Sequence, residues 1–150
     1  MLRLKPAEDF FKMAKDKNIA IIVRVPLASG LLTGKMNSES TFPENDHRNY
    51  NIKGDAFDVG ETFSGVEFNK ALKVVEELKS ILPEEFSLSQ LALKWILMHD
   101  AVSVVIPGAK NSDQVLKNIS TSSMPNINDS MKQIEEIYDA HLKDDIHSRW

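Results

Sequence analysis

An α/β fold with parallel strands is predicted by three observations in this chain. Two apolar runs, Ile19-Ala20-Ile21-Ile22-Val23 and Ala101-Val102-Ser103-Val104-Val105-Ile106, suit strands covered on both faces. Segments of helical periodicity flank them, and each run breaks directly into a small-residue loop.

The elements follow in order. Pro6 suits a first helical turn, and Phe10, Phe11, Met13 and Ala14 give a short apolar face, predicting a helix over 6–17. Asn18 opens the first strand. Residues 36–64 are polar and turn-rich, with Pro43-Glu44-Asn45-Asp46, Gly54 and Gly60, so they predict a long surface loop with one helical turn at most. Phe68, Ala71, Leu72, Val75, Leu78 and Leu82 then recur at spacings of three and four, predicting a helix that stops at Pro83. Ser87 and Gln90 stand at capping-box spacing and start a helix running to about His99, whose Leu91, Leu93, Trp95, Ile96 and Leu97 make it apolar nearly all round. The second strand follows. Asn111 or Ser112 caps a short helix to about Ile119, and Asn128 or Asp129 starts a last one with Met131, Ile134, Ile137, Tyr138 and His141 on one side.

Bulk properties narrow the function. The chain has 150 residues, 42% hydrophobic and 27% charged, which predicts one ordinary globular domain over 1–150. A formal charge of −4 without a dense basic tract argues against nucleic acid and anionic membranes as partners. No apolar stretch approaches the length that spans a bilayer, and the absence of cysteine suits a reducing, cytoplasmic setting.

The two loops carry the chemistry. In Arg24-Val25-Pro26-Leu27-Ala28-Ser29-Gly30, side chains stay small where backbone amides would face a diphosphate, and Lys35 adds charge at the loop's end. The alternative is a plain glycine turn, since the segment matches neither common phosphate-loop signature. In the second loop Gly108 permits close approach, Lys110 neutralises an anion, and the helix beginning near Asn111 offers free amides, with Gln114 and Asn118 on one face. A capped helix with a solvated polar face explains that segment equally well.

No catalytic residue is assigned. The four histidines lack metal-ligand spacing and have no cysteine beside them, so no metal site is predicted. Adjacent carboxylates such as Glu76-Glu77 and Glu135-Glu136 diverge on helix faces. His47 reads as solvent-exposed, Tyr138 as packed, Tyr50 as a weak general-acid candidate and Trp150 as a tail residue.

Residues 25–35, Thr41-Phe42-Pro43-Glu44-Asn45-Asp46-His47-Arg48, Glu61-Thr62-Phe63-Ser64-Gly65 and Ile106-Pro107-Gly108-Ala109-Lys110 together resemble the C-terminal part of the aldo-keto reductase family, from about Pro6 to Trp150. That resemblance implies part of a (β/α)8 barrel, with Ile19 to Val25 as its seventh strand, Val102 to Ile106 as its eighth and about five helices. It implies NADPH as cofactor. Arg24, Val25, Pro26, Leu27, Ala28, Gly30 and Lys35 would contact it, residues 26–30 and Lys35 lying along its pyrophosphate with Arg48 folding over that stretch. Gly108, Lys110, Gln114, Lys117 and Asn118 would surround the 2'-phosphate and adenine. Many members carry an aromatic residue that stacks on the nicotinamide where Arg24 stands, and a guanidinium is able to stack there too. The family's catalytic aspartate, tyrosine, lysine and histidine come from the first four strands, which have no counterpart here.

Two strands that both read as central leave two bare edges. The chain is therefore expected to be incomplete, its sheet finished by a missing N-terminal half or by self-association. Two functions follow: an NADP-dependent oxidoreductase portion inactive alone, or a non-catalytic nucleotide-binding or assembly module.

Overall fold

A computed structural model describes residues 1–149, and Trp150 lies outside them. The expected 6–17 helix is broken into α1 (Lys5–Asp9) and α2 (Phe11–Asp16), with Phe10 ending the first and capping the second. β1 (Ile21–Val23) follows, then a tight turn over Ala28–Thr33. The long loop holds one four-residue helix, α3 (His47–Tyr50), and two short 3-10 turns at Val59–Glu61 and Phe63–Gly65. After it come α4 (Phe68–Ser80), α5 (Leu88–Leu97), β2 (Val102–Val105), α6 (Ser112–Ser120), α7 (Asn128–His141) and α8 (Lys143–Ile146). The five expected helices are thus all present, one of them split. The single turns α3 and α8 are too short to show periodicity in sequence.

The two strands pair in parallel as one sheet, Ile21 with Val102, Ile22 with Val104 and Val23 with Val105. Ser103 is the extra residue in that register, and its hydroxyl accepts the Ile21 N–H at 3.2 Å, so the irregularity leaves no amide stranded. Expected cover on both faces is not found. Ile22 is 62% exposed and Ile106 54%, whereas Ile21 is buried and Val23, Val102 and Val105 pack against the core, so one face of the ladder is covered and the other is open.

The core lies on the helices instead. α5 begins with the anticipated capping box: Ser87 Oγ accepts from Gln90 N at 3.3 Å, and Gln90 Oε1 accepts from Ser87 N at 3.1 Å. Its Leu91, Ala92, Trp95 and Ile96 are buried with Val74, Val75 and Leu78 of α4 and Ile134 and Tyr138 of α7. Leu31 and Leu32 join the same cluster, which roots the first loop in the core. The apolar face of α6 differs: Val115, Leu116 and Ile119 stand exposed, and no residue of that helix is buried.

Order in the long loop comes from one fully buried side chain. Asn51 Oδ1 accepts from Ala56 N at 3.0 Å and Phe57 N at 2.9 Å, and its amide donates to Thr62 Oγ1 at 3.2 Å. An asparagine supplies both senses of hydrogen bond, so a polar segment wraps around it without an apolar core of its own. Replacing it leaves two amides and a hydroxyl without partners. Asn51→Ala is expected to cost about 1–3 kcal/mol in urea denaturation, with amide exchange rising first at Ala56 and Phe57.

Candidate functional site

Both small-residue loops leave the carboxyl ends of hydrogen-bonded neighbours. Ile106 N donates to Val23 O at 3.0 Å, extending the ladder by one bond before the chains diverge. In parallel α/β sheets that end is where ligands gather.

The first loop is conformationally costly. Val25 (φ 51°), Ala28 (φ 48°), Ser29 (φ 58°) and Gly30 (φ 90°) all take left-handed backbone angles, of which only the glycine does so freely. A β-branched valine there is a true outlier. Such strain, of order 1–3 kcal/mol per residue, persists only where surroundings enforce it. Here Gly30 N donates to Leu27 O at 3.0 Å, Thr33 Oγ1 donates to Gly30 O at 2.7 Å, and the buried Leu31 and Leu32 hold the far side.

Ser29 then ties the long loop down. Its hydroxyl donates to Glu61 O at 3.2 Å, accepts from Phe63 N at 3.4 Å and lies 3.3 Å from His47 Nε2. His47 is therefore half-buried against the loop, where an exposed residue was expected. Arg24 reaches the same segment: its Nη1 and Nη2 donate to the two carboxylate oxygens of Glu61 at 2.9 and 2.7 Å, and Arg3 donates to Gly60 O. The bond from Arg24 holds the Glu61 carboxyl below its usual range, although burial opposes it.

Arg48 comes close to the first loop. Its Nη1 lies 3.7 Å from the point where a β-carbon on Gly30 would stand, and its guanidinium sits 4.4 Å over the Phe42 ring. Its donor fork is spent on Asp46, at 2.9 and 2.7 Å, and Asp46 also caps α3 by accepting from Arg48 N at 2.9 Å. Lys35 is exposed at the end of the turn.

In the second loop the polar side chains hold the loop itself. Asn111 Oδ1 caps α6 through Gln114 N at 3.0 Å, Gln114 Oε1 accepts from Lys110 N at 2.7 Å, and Asn118 Nδ2 donates to Gly108 O at 3.3 Å. Lys110 and Lys117 remain exposed, and nothing lies within 4 Å of where a β-carbon on Gly108 would stand. The surface there is open to a ligand. An apolar cavity of about 270 Å3 runs along β1 and its loop, walled by Arg24, Val25, Pro26, Ala28, Phe10 and Trp95. Gly108, Lys110, Gln114, Lys117 and Asn118 are not among its walls, so the two loops share a sheet end and not one pocket.

Glu61 is the position that sequence reasoning left out of the site, and the side-chain contacts of Ser29 and His47 were not anticipated. Glu61 stands 37 residues from Arg24 and Ser29 stands 32 from Glu61, separations at which local spacing carries no signal. Tyr50 stands exposed, edge-on to Phe57, while Tyr138 is packed as expected. Among the described residues no group of three or more His, Cys, Asp or Glu is arranged to hold a metal ion.

Comparison with known proteins adds a family. The model of the aldo/keto reductase family matches residues 1–139. The chain is 32% identical over 120 residues to aldo-keto reductase str7 of Strobilurus tenacellus, covering 79% of this chain and 33% of that protein. It is 26% identical over 135 residues to aldo-keto reductase yakc [NADP(+)] of Schizosaccharomyces pombe, covering 90% and 37%. Among solved structures, glycerol dehydrogenase AKR11B4 from Gluconobacter oxydans superposes with a TM-score of 0.71 at 25% identity, covering 91% of this chain and 39% of that one. The chain thus spans about a third of the length of the curated relatives it matches. The parallel ladder and its surrounding helices are consistent with part of the (β/α)8 barrel of that family.

The Asp46 carboxyl is held well below the usual carboxylate range, chiefly by its bond to Arg48. A carboxyl depressed on folding stabilises the native state at neutral pH, and loses that contribution only as pH falls below about 4 towards its folded value. Asp46→Ala removes both cap and ion pair, with an expected cost of about 1 kcal/mol by denaturant melting at pH 7. Wild type and variant should converge in stability as the acid limb is approached.

Proposed function

We propose that this chain, which belongs to the aldo/keto reductase family, holds NADPH across the carboxyl ends of β1 and β2. The observation that carries the reading is the pair of ladder-adjacent loops, one strained and amide-rich, the other open at Gly108 with two exposed lysines. These residues suit an anionic dinucleotide. Pro26, Leu27, Ala28, Gly30, Lys35 and Arg48 would run along its pyrophosphate side, Arg24 and Val25 would meet its nicotinamide end, and Gly108, Lys110, Gln114, Lys117 and Asn118 would lie along its adenosine 2'-phosphate side. When bound, the reduced nicotinamide supplies a hydride for carbonyl reduction.

The roles of the chain's own residues are binding and orientation. Lys110 and Lys117 offer point charges to phosphate, while Gln114 and Asn118 keep the 107–111 backbone in place for it. Ser29 holds the long loop against the first loop through Glu61 and Phe63. Carbonyl reduction also needs a positioned proton donor. None is assigned here, so residues 1–150 act as the cofactor-binding portion of a larger barrel and do not complete the reaction alone. The unpaired outer edges of the two-stranded sheet, its open face at Ile22 and Val104 and the exposed face of α6 favour completion by further elements. A cysteine-free chain with no helix long and apolar enough to cross a membrane among its described residues fits a cytoplasmic setting.

Fluorescence titration with NADPH and NADH tests the assignment. Lys110→Ala is expected to weaken NADPH about tenfold while changing NADH little, the size of one lost charge-assisted contact. Equal affinity for the two nucleotides in wild type would overturn the 2'-phosphate contact. Purified chain incubated with NADPH and a panel of aldehydes should show no oxidation of the nucleotide; turnover abolished by Tyr50→Phe would identify a proton donor in this chain and refute the division of labour.

A further inference from the structure

We propose that the apolar cavity along β1 is a binding site for a small neutral aromatic molecule that carries one hydrogen-bond acceptor. The site is independent of the nucleotide reading above.

The cavity reaches the end of the ladder opposite the two loops. One end is walled by Val25, Pro26 and Ala28, where β1 gives way to the first loop. The other holds Phe11, Trp95 and His99. Phe11 opens α2, the helix that leads into β1, and His99 precedes β2, its carbonyl accepting from Val102 N at 2.9 Å. These rings therefore belong to the amino ends of the strands, away from Gly108 and the lysines.

The three rings form one rigid wall. His99 meets Trp95 at a centroid distance of 4.6 Å and Phe11 at 5.4 Å, with interplanar angles of 77° and 79°. Edge-to-face contacts of this kind are favourable, and Trp95 is only 5% exposed.

What that wall lacks is an acceptor. Trp95 Nε1 and His99 Nε2 are both buried without a hydrogen-bond partner among the described residues. An indole N–H is a donor only, and a buried donor left unpaired is costly, so native interiors almost always supply its partner. Burial lowers the His99 pKa, so the ring is neutral at neutral pH and serves as a second donor in the tautomer protonated on Nε2. A ligand acceptor completes the bonding that the wall leaves open.

Size and charge narrow the ligand further. An apolar cavity of about 150 Å3 holds benzene. This one, at about 270 Å3, has room for a substituted ring. Arg3 and Arg24 also line it, and they are bonded to Gly60 O and to both oxygens of Glu61. An anion would compete with that carboxylate, and a cation would meet two guanidinium groups, so a neutral molecule fits best. Apolar walls with a few polar groups are the usual make-up of a small-molecule site.

The test uses benzonitrile and phenylacetylene, which share nearly one shape while only the nitrile ends in an acceptor. Titrated into the isotope-labelled chain without nucleotide, benzonitrile is expected to bind saturably and move the Trp95 indole N–H resonance downfield, and phenylacetylene to bind with little such movement. Trp95→Phe identifies that resonance, since Trp150 is the other tryptophan of the two. The same variant should weaken benzonitrile about three- to tenfold, the size of one hydrogen bond, and phenylacetylene less than about twofold. Ala7→Leu, which adds a side chain to the cavity wall, should weaken both probes at least about tenfold. If that variant does not fold, the probe ratio in Trp95→Phe decides. An unchanged ratio would leave an apolar void with no part for the indole, a folded Ala7→Leu chain that binds as wild type would place the probes elsewhere, and no saturable binding by wild type would remove the site. Each of these overturns the proposal and leaves the NADPH reading standing.

Discussion

The parallel ladder between Ile21–Val23 and Val102–Val105 is the constraint on which the site depends. It is short, and its outer edges are bare, so it contributes little burial of its own. Its value is geometric. Strands paired in parallel end on the same side, and the Ile106 N–H to Val23 O bond keeps them together to the last residue before both loops begin. An antiparallel pair would send those loops to opposite ends of the sheet.

Around that ladder the chain divides its work between two kinds of interaction. Apolar packing among α4, α5 and α7 fixes the frame, and Leu31 and Leu32 tie the strained first loop into it. Polar contacts then shape what the frame leaves exposed. Asn51 folds the long loop on itself, Ser29 pins it to the first loop, and carboxylates close the forks of Arg24 and Arg48. Individually such partly exposed bonds contribute modestly to stability. Collectively they leave Lys35, Lys110 and Lys117 as the exposed candidate cations that no carboxylate neutralises among the described residues.

Much of the fold was legible because burial periodicity is local. The face of α4, the nearly all-apolar α5 and the Ser87–Gln90 box depend on residues within a turn or two of each other. The break at Phe10 was not legible, since both halves share one apolar stripe. Full cover on Ile22 was expected from its neighbours' character, yet the elements that would cover it are absent among the described residues. Of the site, the two small-residue loops were readable from residue type. The contacts of Glu61, His47 and Ser29 were not, because each joins residues far apart in sequence.

The sequence by itself determined the order of helices and strands, the parallel pairing, the small-residue loops and the family they resemble, since each follows from short-range pattern and composition. Only the tertiary structure decided that Val25, Ala28 and Ser29 adopt left-handed angles, that Gln114 and Asn118 hold their own loop, and that the two arginines are already paired. The reason is that backbone strain and charge neutralisation are imposed by neighbours in space. A residue's type states what it is able to bond, and its surroundings settle which bond it makes.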